Sequence, residues 1–455
     1  MSSELRALWT SAGGDAPREW QVVPFESLLR DAKSIAVGVM YPGPDTPGGT
    51  PLLKVGDIKR GVVVAKPSYC ISAETNEEHR RTQLLGDEFL ITLVGEPGEC
   101  IVVSPSMAGW NPARAIAVVR LKQPELRTYL KAVLESSAGK HLIDAVLNTT
   151  VQKTLNLKDI RRLPIPIPSS RTVAAISEMA EALSSRIALL RETNVTLEAI
   201  AQALFKSWFV DFDPVLAKQQ GLAPTGMDEA TAALFPDGFE DSALGLMPNG
   251  WEARSMAEVS TVGIGKTPPR KESQWFSESD RDVRWVSIRD MGAAGAFATQ
   301  TSEYLTDEAI ARFNIRIVPT HTALLSFKMT IGRVAITDGE MTTNEAIAHF
   351  KLNQHSPVTT EFIYLTLKQF DFLTLSSTSS IADAVNSKTV RGLPLVVPSA
   401  AVLVAFQDAI VPLFQRMKLV GKQAQTLATL RDTLLPRLIS GQLRLPEAEA
   451  LAELD

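Results

Sequence analysis

The chain of 455 residues carries a formal net charge of −5, and 45% of its residues are hydrophobic and 21% charged. These proportions are typical of a folded globular protein and exclude a disordered or fibrous chain. No apolar run approaches the ~18 residues of a membrane span, and the first residues lack the pattern of a secretory signal. Cys70 and Cys100 are too few for a disulfide framework or a four-cysteine zinc site. We therefore expect a cytoplasmic protein with reduced thiols and no membrane partner, a Cys70–Cys100 disulfide being the alternative.

The acidic charge is concentrated in two segments. Residues 211–247 hold seven acidic residues and one lysine, and residues 442–455 hold four acidic residues and one arginine. The remainder of the chain therefore carries a net charge of +4. That charge permits a nucleic-acid surface without requiring one.

In chain order, residues 1–19 are rich in Ser, Gly and Ala, which predicts a loose N-terminal tail. A first module follows at 20–168, where short apolar runs alternate with turn residues. This pattern predicts strands at Gly61–Ala65, Phe89–Val94, Cys100–Val103 and Ala115–Leu121, and a helix at Pro124–Glu135.

Residues 169–210 have a heptad pattern of apolar or small residues, which predicts one long helix from Arg171 to about Trp208. At ~1.5 Å per residue this helix is ~57 Å long. Its two rows are Val173, Ala180, Ile187, Asn194 and Ala201, and Ile176, Leu183, Leu190, Leu197 and Leu204. Asn194 is the polar member, and it either fixes the register of helix pairing or faces solvent.

An acidic linker at 211–247 is predicted to be irregular and exposed, and a second module follows at 248–398. The predicted strands of this module are Val283–Ile288, Ile315–Val318, Ala323–Lys328 and Gly332–Thr337, with a helix at Thr360–Leu373. A distal helix at 399–440 repeats the heptad rows of 169–210 with an offset of 230 and precedes a tail at 441–455. Because proline removes a backbone donor, Pro412 predicts a kink or break near Asp408 and a straight part at Leu413–Leu434.

The sequence consists of two copies of one unit. "RRLPIPIPS" and "RGLPLVVPS" lead into the two long helices with the same offset, and Trp20 and Trp251 stand 231 residues apart. Each helix is therefore predicted to find its partner in the other copy.

No convincing catalytic set occurs in the sequence. "GIGKT" at Gly263–Thr267 lacks the first glycine of a phosphate-binding loop, since Ser260 stands there, and two prolines follow it. We interpret this segment as a turn. The five histidines have no zinc-protease spacing, so neither a metal site nor an enzyme is predicted.

Two helical segments carry a family resemblance. "LEAIAQALFKSWFVDFDPV" at 197–215 and "LRDTLLPRLISGQLRL" at 430–445 resemble the central and distal conserved regions of the specificity subunit of type I restriction–modification systems. The resemblance implies an α+β fold, in which two mixed α/β target-recognition domains are separated by an antiparallel pair of long coiled-coil helices with an internal pseudo-twofold repeat. It also implies double-stranded DNA, two modification (methyltransferase) subunits and restriction (translocase/nuclease) subunits as partners. S-adenosylmethionine and ATP would belong to those partners, and this chain would hold no cofactor.

Two modules on a helical spacer are suited to a bipartite DNA site, and a separation of ~34–57 Å corresponds to about 10–17 base pairs. Because the modules differ in sequence, we expect the site to be asymmetric. The alternative function is a coiled-coil scaffold whose modules bind proteins.

Basic residues in loops or beside strands are the candidate DNA contacts, because arginine pairs with guanine and lysine with phosphate. These residues are Lys54, Lys59, Arg60, Arg80, Arg81, Lys140 and Lys153 in the first module, and Lys266, Arg270, Arg289, Lys328, Arg333 and Lys388 in the second. Asn111, Asn344 and Gln152 are candidates for reading adenine. For each of them the alternative is an ordinary surface residue.

Bulky apolar residues near both helix ends predict a docking surface for the modification subunits. They are Phe205, Trp208 and Phe209 in the central region and Leu434, Leu435 and Leu438 in the distal one. The alternative is that the aromatic residues pack against the distal leucines.

Overall fold

The computed structural model describes residues 2–59, 61–63, 65–147, 153–372 and 385–443. The chain divides into two compact units, one formed by Met1–Ala188 and Gln425–Asp455 and the other by Leu189–Ala424. Both divisions fall inside long helices, so each unit contains one module and a part of both helices.

The helices of unit 1 are short until the first long helix begins. They are α1 Ser2–Ser11, α2 Ala73–Glu78, α3 Leu126–Glu135, α4 Ser137–Ala145 and α5 Leu157–Arg162, and the first long helix is α6 Ser170–Phe209. The strands are β1 Gln21–Pro24, β2 Ile35–Val37, β3 Thr50–Leu53, β4 Ile58–Lys59, β5 Val62–Val63, β6 Cys70–Ile71, β7 Phe89–Thr92, β8 Cys100–Val102, β9 Asn111–Pro112, β10 Ile116–Val119 and β11 Pro164–Ile167.

Unit 2 is built from the same kinds of element and contains the start of the second long helix. Its helices are α7 Asp213–Gln219, α8 Glu229–Ala233, α9 Met256–Val259, α10 Ile288–Ala293, α11 Asp307–Phe313, α12 Thr360–Gln369, α13 Ser387–Arg391 and the second long helix α14 Ala400–Ile439. The strands are β12 Phe239–Ser242, β13 Gly245–Pro248, β14 Glu252–Ser255, β15 Thr261–Ile264, β16 Phe276–Ser277, β17 Val283–Val286, β18 Phe297–Ala298, β19 Glu303–Leu305, β20 Ala323–Ser326, β21 Val334–Thr337, β22 Thr342–Thr343, β23 Ile347–Lys351 and β24 Pro394–Val397. Single 3-10 turns occupy Phe25–Leu28, Val55–Asp57, Pro105–Met107 and Ser273–Trp275.

The two modules share the connectivity of four strands in their main sheets. In unit 1 the main sheet has the order β2-β10-β7-β8, and in unit 2 it has the order β15-β23-β20-β21-β18. In each main sheet the strand that comes first in the chain lies beside the strand that comes last, β2 beside β10 and β15 beside β23. In each module a two-stranded antiparallel ribbon, β1-β11 or β14-β24, pairs the first strand with the strand that precedes the long helix. A parallel pair, β3-β9 or β17-β22, belongs to a second sheet in each module.

The central strands are buried on both faces, and their alternate residues enter two different cores. On β7, Phe89 and Ile91 belong to the core that also contains helix α3, whereas Leu90 belongs to a smaller core on the other face. The same division separates Leu325 from Leu324 on β20. Because successive side chains of a strand point to opposite faces, a continuous apolar run is required in these strands.

The predicted elements of the modules are largely confirmed. The strands predicted at Phe89–Val94, Cys100–Val103, Ala115–Leu121 and Ala323–Lys328 all form, as do both module helices. The prediction of a strand at Ile315–Val318 is wrong, because only an isolated bridge from Val318 to Met341 forms there. Both cysteines are free thiols.

The N-terminal segment is not a loose tail. Helix α1 forms, and the Trp9 side chain is buried in the core of unit 1 while its Nε1 donates a hydrogen bond to the Asp15 carbonyl at 2.9 Å. The prediction for 1–19 is therefore wrong, since one tryptophan anchors the segment.

The linker prediction is wrong for the same physical reason. Residues 211–247 form α7, α8, β12 and most of β13, and Val215, Phe235 and Met247 are buried in the core of unit 2. The acidic residues of the segment lie on its outside, while these three apolar side chains fold it onto the module.

The second long helix continues through Pro412, so the predicted break does not occur. Asp408 and Pro412 are both exposed, which leaves the freed carbonyl on the solvent side. On the opposite side Ile410 and Phe414 are buried in the core of unit 2 and hold the helix in place. Among the described residues α14 is also the one helix with an apolar window long enough for a membrane span, but core helices pass the same test.

In each unit the start of one long helix shares a core with the end of the other. The start of α6, with Val173 and Ile176, shares the core of unit 1 with Leu434 and Leu438 of α14. The end of α6, with Ala201 and Phe205, shares the core of unit 2 with the start of α14.

The position of Asn194 bears on the interpretation that it faces solvent. Its Nδ2 lies 3.4 Å from where a Cβ on Gly421 of α14 would stand, and its Oδ1 is buried without a hydrogen-bond partner. The amide oxygen is therefore buried and the amide group lies beside α14, which argues against an Asn194 that faces solvent.

Polar contacts fix the second module to both long helices within unit 2. Asp338, which follows β21, pairs with Lys418 at 2.7 Å and with Lys422 at 3.5 Å on α14. Glu198 on α6 pairs with Lys368 at 2.8 Å and accepts the Tyr364 hydroxyl at 2.7 Å.

Candidate nucleic-acid interface

The basic residues predicted in the first module lie on several separate elements. Lys59, Arg80, Arg81, Lys140 and Lys153 are exposed and Lys54 is half-buried, whereas Arg60 and Gln152 lie outside the described residues. Arg80 and Arg81 are brought together after α2, where Arg80 pairs with Glu77 at 3.1 Å and Arg81 donates to the Lys33 carbonyl. The Lys54 ammonium lies 3.3 Å from the centre of the Tyr69 ring.

Two pairs of basic residues come together in the second module. Lys266 and Arg270 meet at Trp285, whose Nε1 donates to the Lys266 carbonyl at 3.3 Å and whose ring lies 4.4 Å below the Arg270 guanidinium. Arg333 donates to the Ile288 carbonyl at 2.5 Å, directly beside Arg289.

Arg270 and Arg333 make contacts within the protein that bear on their prediction as DNA contacts. Arg270 makes a two-pronged pair with Glu303 at 2.7 and 3.0 Å, so a carboxylate already fills the fork that would read guanine. Arg333 is half-buried, and its guanidinium lies against Gly292 on α10. Substituting Arg333 is therefore expected to disturb the fold.

Asn111 is not available to read a base. It is fully buried, its Nδ2 donates to Asn76 and to the His79 carbonyl, both at 3.1 Å, and its Oδ1 accepts from Thr82 at 2.8 Å. Asn344 is half-buried, and its Oδ1 accepts the backbone N–H of Ala346. Both amides therefore stabilise loops.

Three of the basic residues predicted in the second module are exposed and form no ion pair with the described residues. Arg289, Lys328 and Lys388 project from α10, the β20–β21 loop and α13. Met329, next to Lys328 in that loop, is 84% exposed and has a φ of +60°. Sequence reasoning missed Met329, because nothing in a run of buried strand residues indicates where the loop tip falls.

A basic cavity of about 300 Å³ lies beside Lys266 in the second module. Its lining consists of Gly263, Ile264, Gly265, Lys266, Asn314, Arg316 and Arg391. The Lys266 ammonium donates to the Phe313 carbonyl at 2.6 Å. Sequence reasoning missed Arg316, which was assigned to a strand, and Arg391, which was used only to align the repeat.

The histidine behind this cavity is held neutral. His349 on β23 is buried, and burial together with the positive charge of Arg316 lowers the pKa of His349 to about 4. The backbone N–H groups of "GIGKT" are used in part by the sheets, since Gly265 donates to the Ile347 carbonyl and Lys266 to the Thr343 carbonyl. The segment is therefore a strand and its exit.

The predicted docking residues are core residues. Phe205, Trp208 and Phe209 are 3–8% exposed and belong to an aromatic cluster in unit 2 that includes Phe406 and Trp251. In unit 1, Leu434 and Leu438 are buried and Leu435 is half-buried in a different core. Neither the exposed docking anchors nor the packing of these aromatic residues on the distal leucines is observed.

Comparison with known proteins finds relatives of this chain in sequence and in fold. Residues 248–416 match the family described as the type I restriction modification DNA specificity domain. The HindI specificity subunit of Haemophilus influenzae is 28% identical over 361 residues, which cover 70% of this chain and 75% of that protein. The EcoBI specificity subunit of Escherichia coli is 27% identical over 200 residues, 41% of each chain.

The fold has a solved counterpart. The crystal structure of the type I restriction–modification S subunit from M. genitalium aligns with a TM-score of 0.52 and 14% identity, over 92% of this chain and 96% of that one. The chain is thus an α+β protein of the class that carries DNA specificity domains. Residues 248–416 match the type I restriction modification DNA specificity domain, and the chain is similar to specificity subunits of type I restriction enzymes.

Proposed function

We propose that each module of this specificity subunit reads one half of a bipartite, asymmetric DNA site, while the long helices set the distance between the half-sites. The observation that carries the proposal is the repeated connectivity of the main sheets, β2-β10-β7-β8 and β15-β23-β20-β21, on which different loops are mounted. A constant sheet with variable loops suits two readers of different sequences, because recognition residues are commonly carried by loops on a rigid scaffold.

Phosphate contacts and base contacts have different roles in such a reader. Lysines such as Lys59, Lys140 and Lys328 are suited to phosphate, whereas Arg289 has the planar donors that guanine requires. Their exposure supports this assignment, since each side chain has room to reach a ligand.

We further assign catalysis to partner subunits. In this proposal two modification subunits bring S-adenosylmethionine and methylate adenine, restriction subunits bring ATP, and this chain has no cofactor and works in the cytoplasm. The long helices supply the docking surface through apolar side chains that remain exposed. These are Val195 and Ile200 on α6 and Val404 and Leu419 on α14, which are 44–68% exposed.

The primary test is single-molecule sequencing of host DNA for N6-methyladenine, with and without this gene beside its partner genes. A gene-dependent, two-part, asymmetric motif is the expected result. Exchanging residues 20–168 for the module of another family member should then change one half of the motif only. If both halves change, the assignment of one module to one half-site fails.

The absence of any gene-dependent motif would be followed by a DNA-binding measurement on the purified complex. Lack of selective binding there would favour the scaffold function over DNA recognition.

The docking proposal has a separate test in native mass spectrometry of the complex. A Val195→Asp, Val404→Asp double variant should reduce the number of bound modification subunits from two. Leu246→Asp is the matched control, because this leucine is 67% exposed but lies on β13 and not on a long helix. Unchanged assembly of the double variant would remove these residues from the surface.

A further inference from the structure

Three distant parts of the sequence line the basic cavity in the second module, which is open to solvent. Gly263–Lys266 supply the end of β15 and its exit, Asn314 and Arg316 follow helix α11, and Arg391 ends helix α13. A volume of about 300 Å³ is at the lower end of the range for small-ligand sites.

The charge of the cavity has one sign. Lys266, Arg316 and Arg391 line it, and none of its lining residues is acidic. Among the residues that the structure describes, neither arginine forms an ion pair, and both are exposed. The nearby carboxylate of Glu345 accepts a hydrogen bond from Thr267 and lies outside the lining.

Two buried polar atoms lie directly against the glycines of the lining. A Cβ on Gly263 would stand 2.0 Å from Cε1 of His349, and a Cβ on Gly265 would stand 2.2 Å from Oγ1 of Thr343. His349 Nε2 and Thr343 Oγ1 are buried and lack hydrogen-bond partners in the described structure. Unpartnered buried polar atoms are rare in proteins, so two beside one cavity indicate a polar site.

The corresponding position in the first module does not present the same basic groups. Gly38 packs closely against the Pro112 and Ala113 carbonyls, as Gly265 packs against those of Thr343 and Asn344. The residue after Gly38 is the buried Val39, whereas the residue after Gly265 is Lys266. Arg161, which the repeat aligns with Arg391, donates to the Ala32 carbonyl at 2.6 Å. The basic cavity is thus a feature of the second module.

We propose that this cavity is a phosphate-binding pocket, in which Arg316 and Arg391 hold the oxyanion and Lys266 adds a third charge. Planar guanidinium groups match phosphate oxygens in pairs, and lysine acts as a point charge. The phosphate can belong to the DNA backbone or to free phosphate or a nucleotide. The DNA form of this inference rests on the proposed function, whereas the free-phosphate form does not.

The DNA arm of the test uses the full chain in complex with its modification subunits. Binding of a duplex that carries the methylated motif is measured by fluorescence anisotropy over a range of salt concentrations. An Arg316→Gln, Arg391→Gln variant should lower the slope of log K against log salt by about 1, the value for one phosphate contact. Arg416→Gln, an exposed arginine on α14, is the single-charge control and should leave the slope unchanged.

The free-phosphate arm uses inorganic phosphate and ATP as probes of the same complex. Calorimetry should detect binding that the double variant loses and that Arg391→Lys retains in part. In the full chain labelled at its histidines, bound phosphate should raise the pKa of His349, because it offsets the charge of Arg316.

The results separate the two sources. A reduced salt slope supports the pocket and assigns it to DNA, and phosphate binding with an unchanged slope supports the pocket and assigns it to a free anion. An unchanged slope together with no phosphate binding overturns the proposal. Loss of motif selectivity in a wild-type complex that still binds phosphate would count against the proposed function alone.

Discussion

Phe209 provides the sharpest test of whether the aromatic residues at the end of α6 form a core or a docking surface. Its ring is 4% exposed, and its centroid lies 4.8 Å from that of Phe406, 5.0 Å from that of Phe362 and 5.7 Å from that of Trp251. Replacing it with alanine removes the ring and leaves a cavity among aromatic neighbours that cannot all move in. We expect Phe209→Ala to lower the free energy of unfolding of unit 2 by about 3–5 kcal/mol.

The measurement is guanidinium denaturation of the full chain, with hydrogen–deuterium exchange to assign each transition to a unit. Phe209→Leu should cost about 1–2 kcal/mol, because it keeps most of the apolar volume. The adjacent Val210 is 46% exposed, so Val210→Ala is the control and should stay within about 0.5 kcal/mol of wild type. If Phe209→Ala lowers the free energy of unfolding by less than about 1 kcal/mol yet abolishes partner binding, the assignment of Phe209 to the core is refuted. The prediction that it docks the partner would then be supported.

Three further outcomes follow from contacts in unit 2. Asp338→Asn should cost about 1 kcal/mol, because its two lysine partners are 40% and 57% exposed, and the loss in melting temperature should disappear at high salt. The hydrogen bond to Glu361 raises the pKa of His321. His321→Gln should therefore lower the melting temperature by its full amount below about pH 6.5, and this difference from wild type should vanish as the pH rises through the folded-state pKa. A difference in melting temperature that does not depend on pH would contradict this. Gly263→Ala should cost about 1–3 kcal/mol in chemical denaturation, because its Cβ would stand 2.0 Å from a buried imidazole, whereas Gly295→Ala, with open space around it, should be near neutral.

The regular elements were accessible from the sequence wherever a local pattern decides the structure. The strands at Phe89 and Ala323 are continuous apolar runs, and the heptad rows of 169–210 predict a helix that forms at Ser170–Phe209. The same reasoning failed where one distant partner decides the structure. Trp9 and Phe235 lie in segments of largely polar composition, and these segments fold because the two side chains are buried in cores formed by distant parts of the chain.

The site was less predictable, because charge and residue type do not reveal the partners of a side chain. Arg270 and Arg289 look alike in the sequence and both are exposed, yet only Arg270 lies beside a carboxylate, that of Glu303. Arg316 and Arg391 stand 75 positions apart and approach the same cavity only through the sheet topology. Such a pocket has no local signal, so only the folded chain reveals it.

The division of the chain into one continuous and one discontinuous unit sets an order for folding during synthesis. Unit 2 is contained in Leu189–Ala424, so every residue it needs has been made before the distal end of α14. The core of unit 1 includes Leu434 and Ile439, which are synthesised more than 200 residues after its β-strands. Unit 1 must therefore wait with an uncovered apolar surface at Val173 and Ile176, although it begins first. Domains usually complete in the order of synthesis, and here the second module is expected to finish before the first.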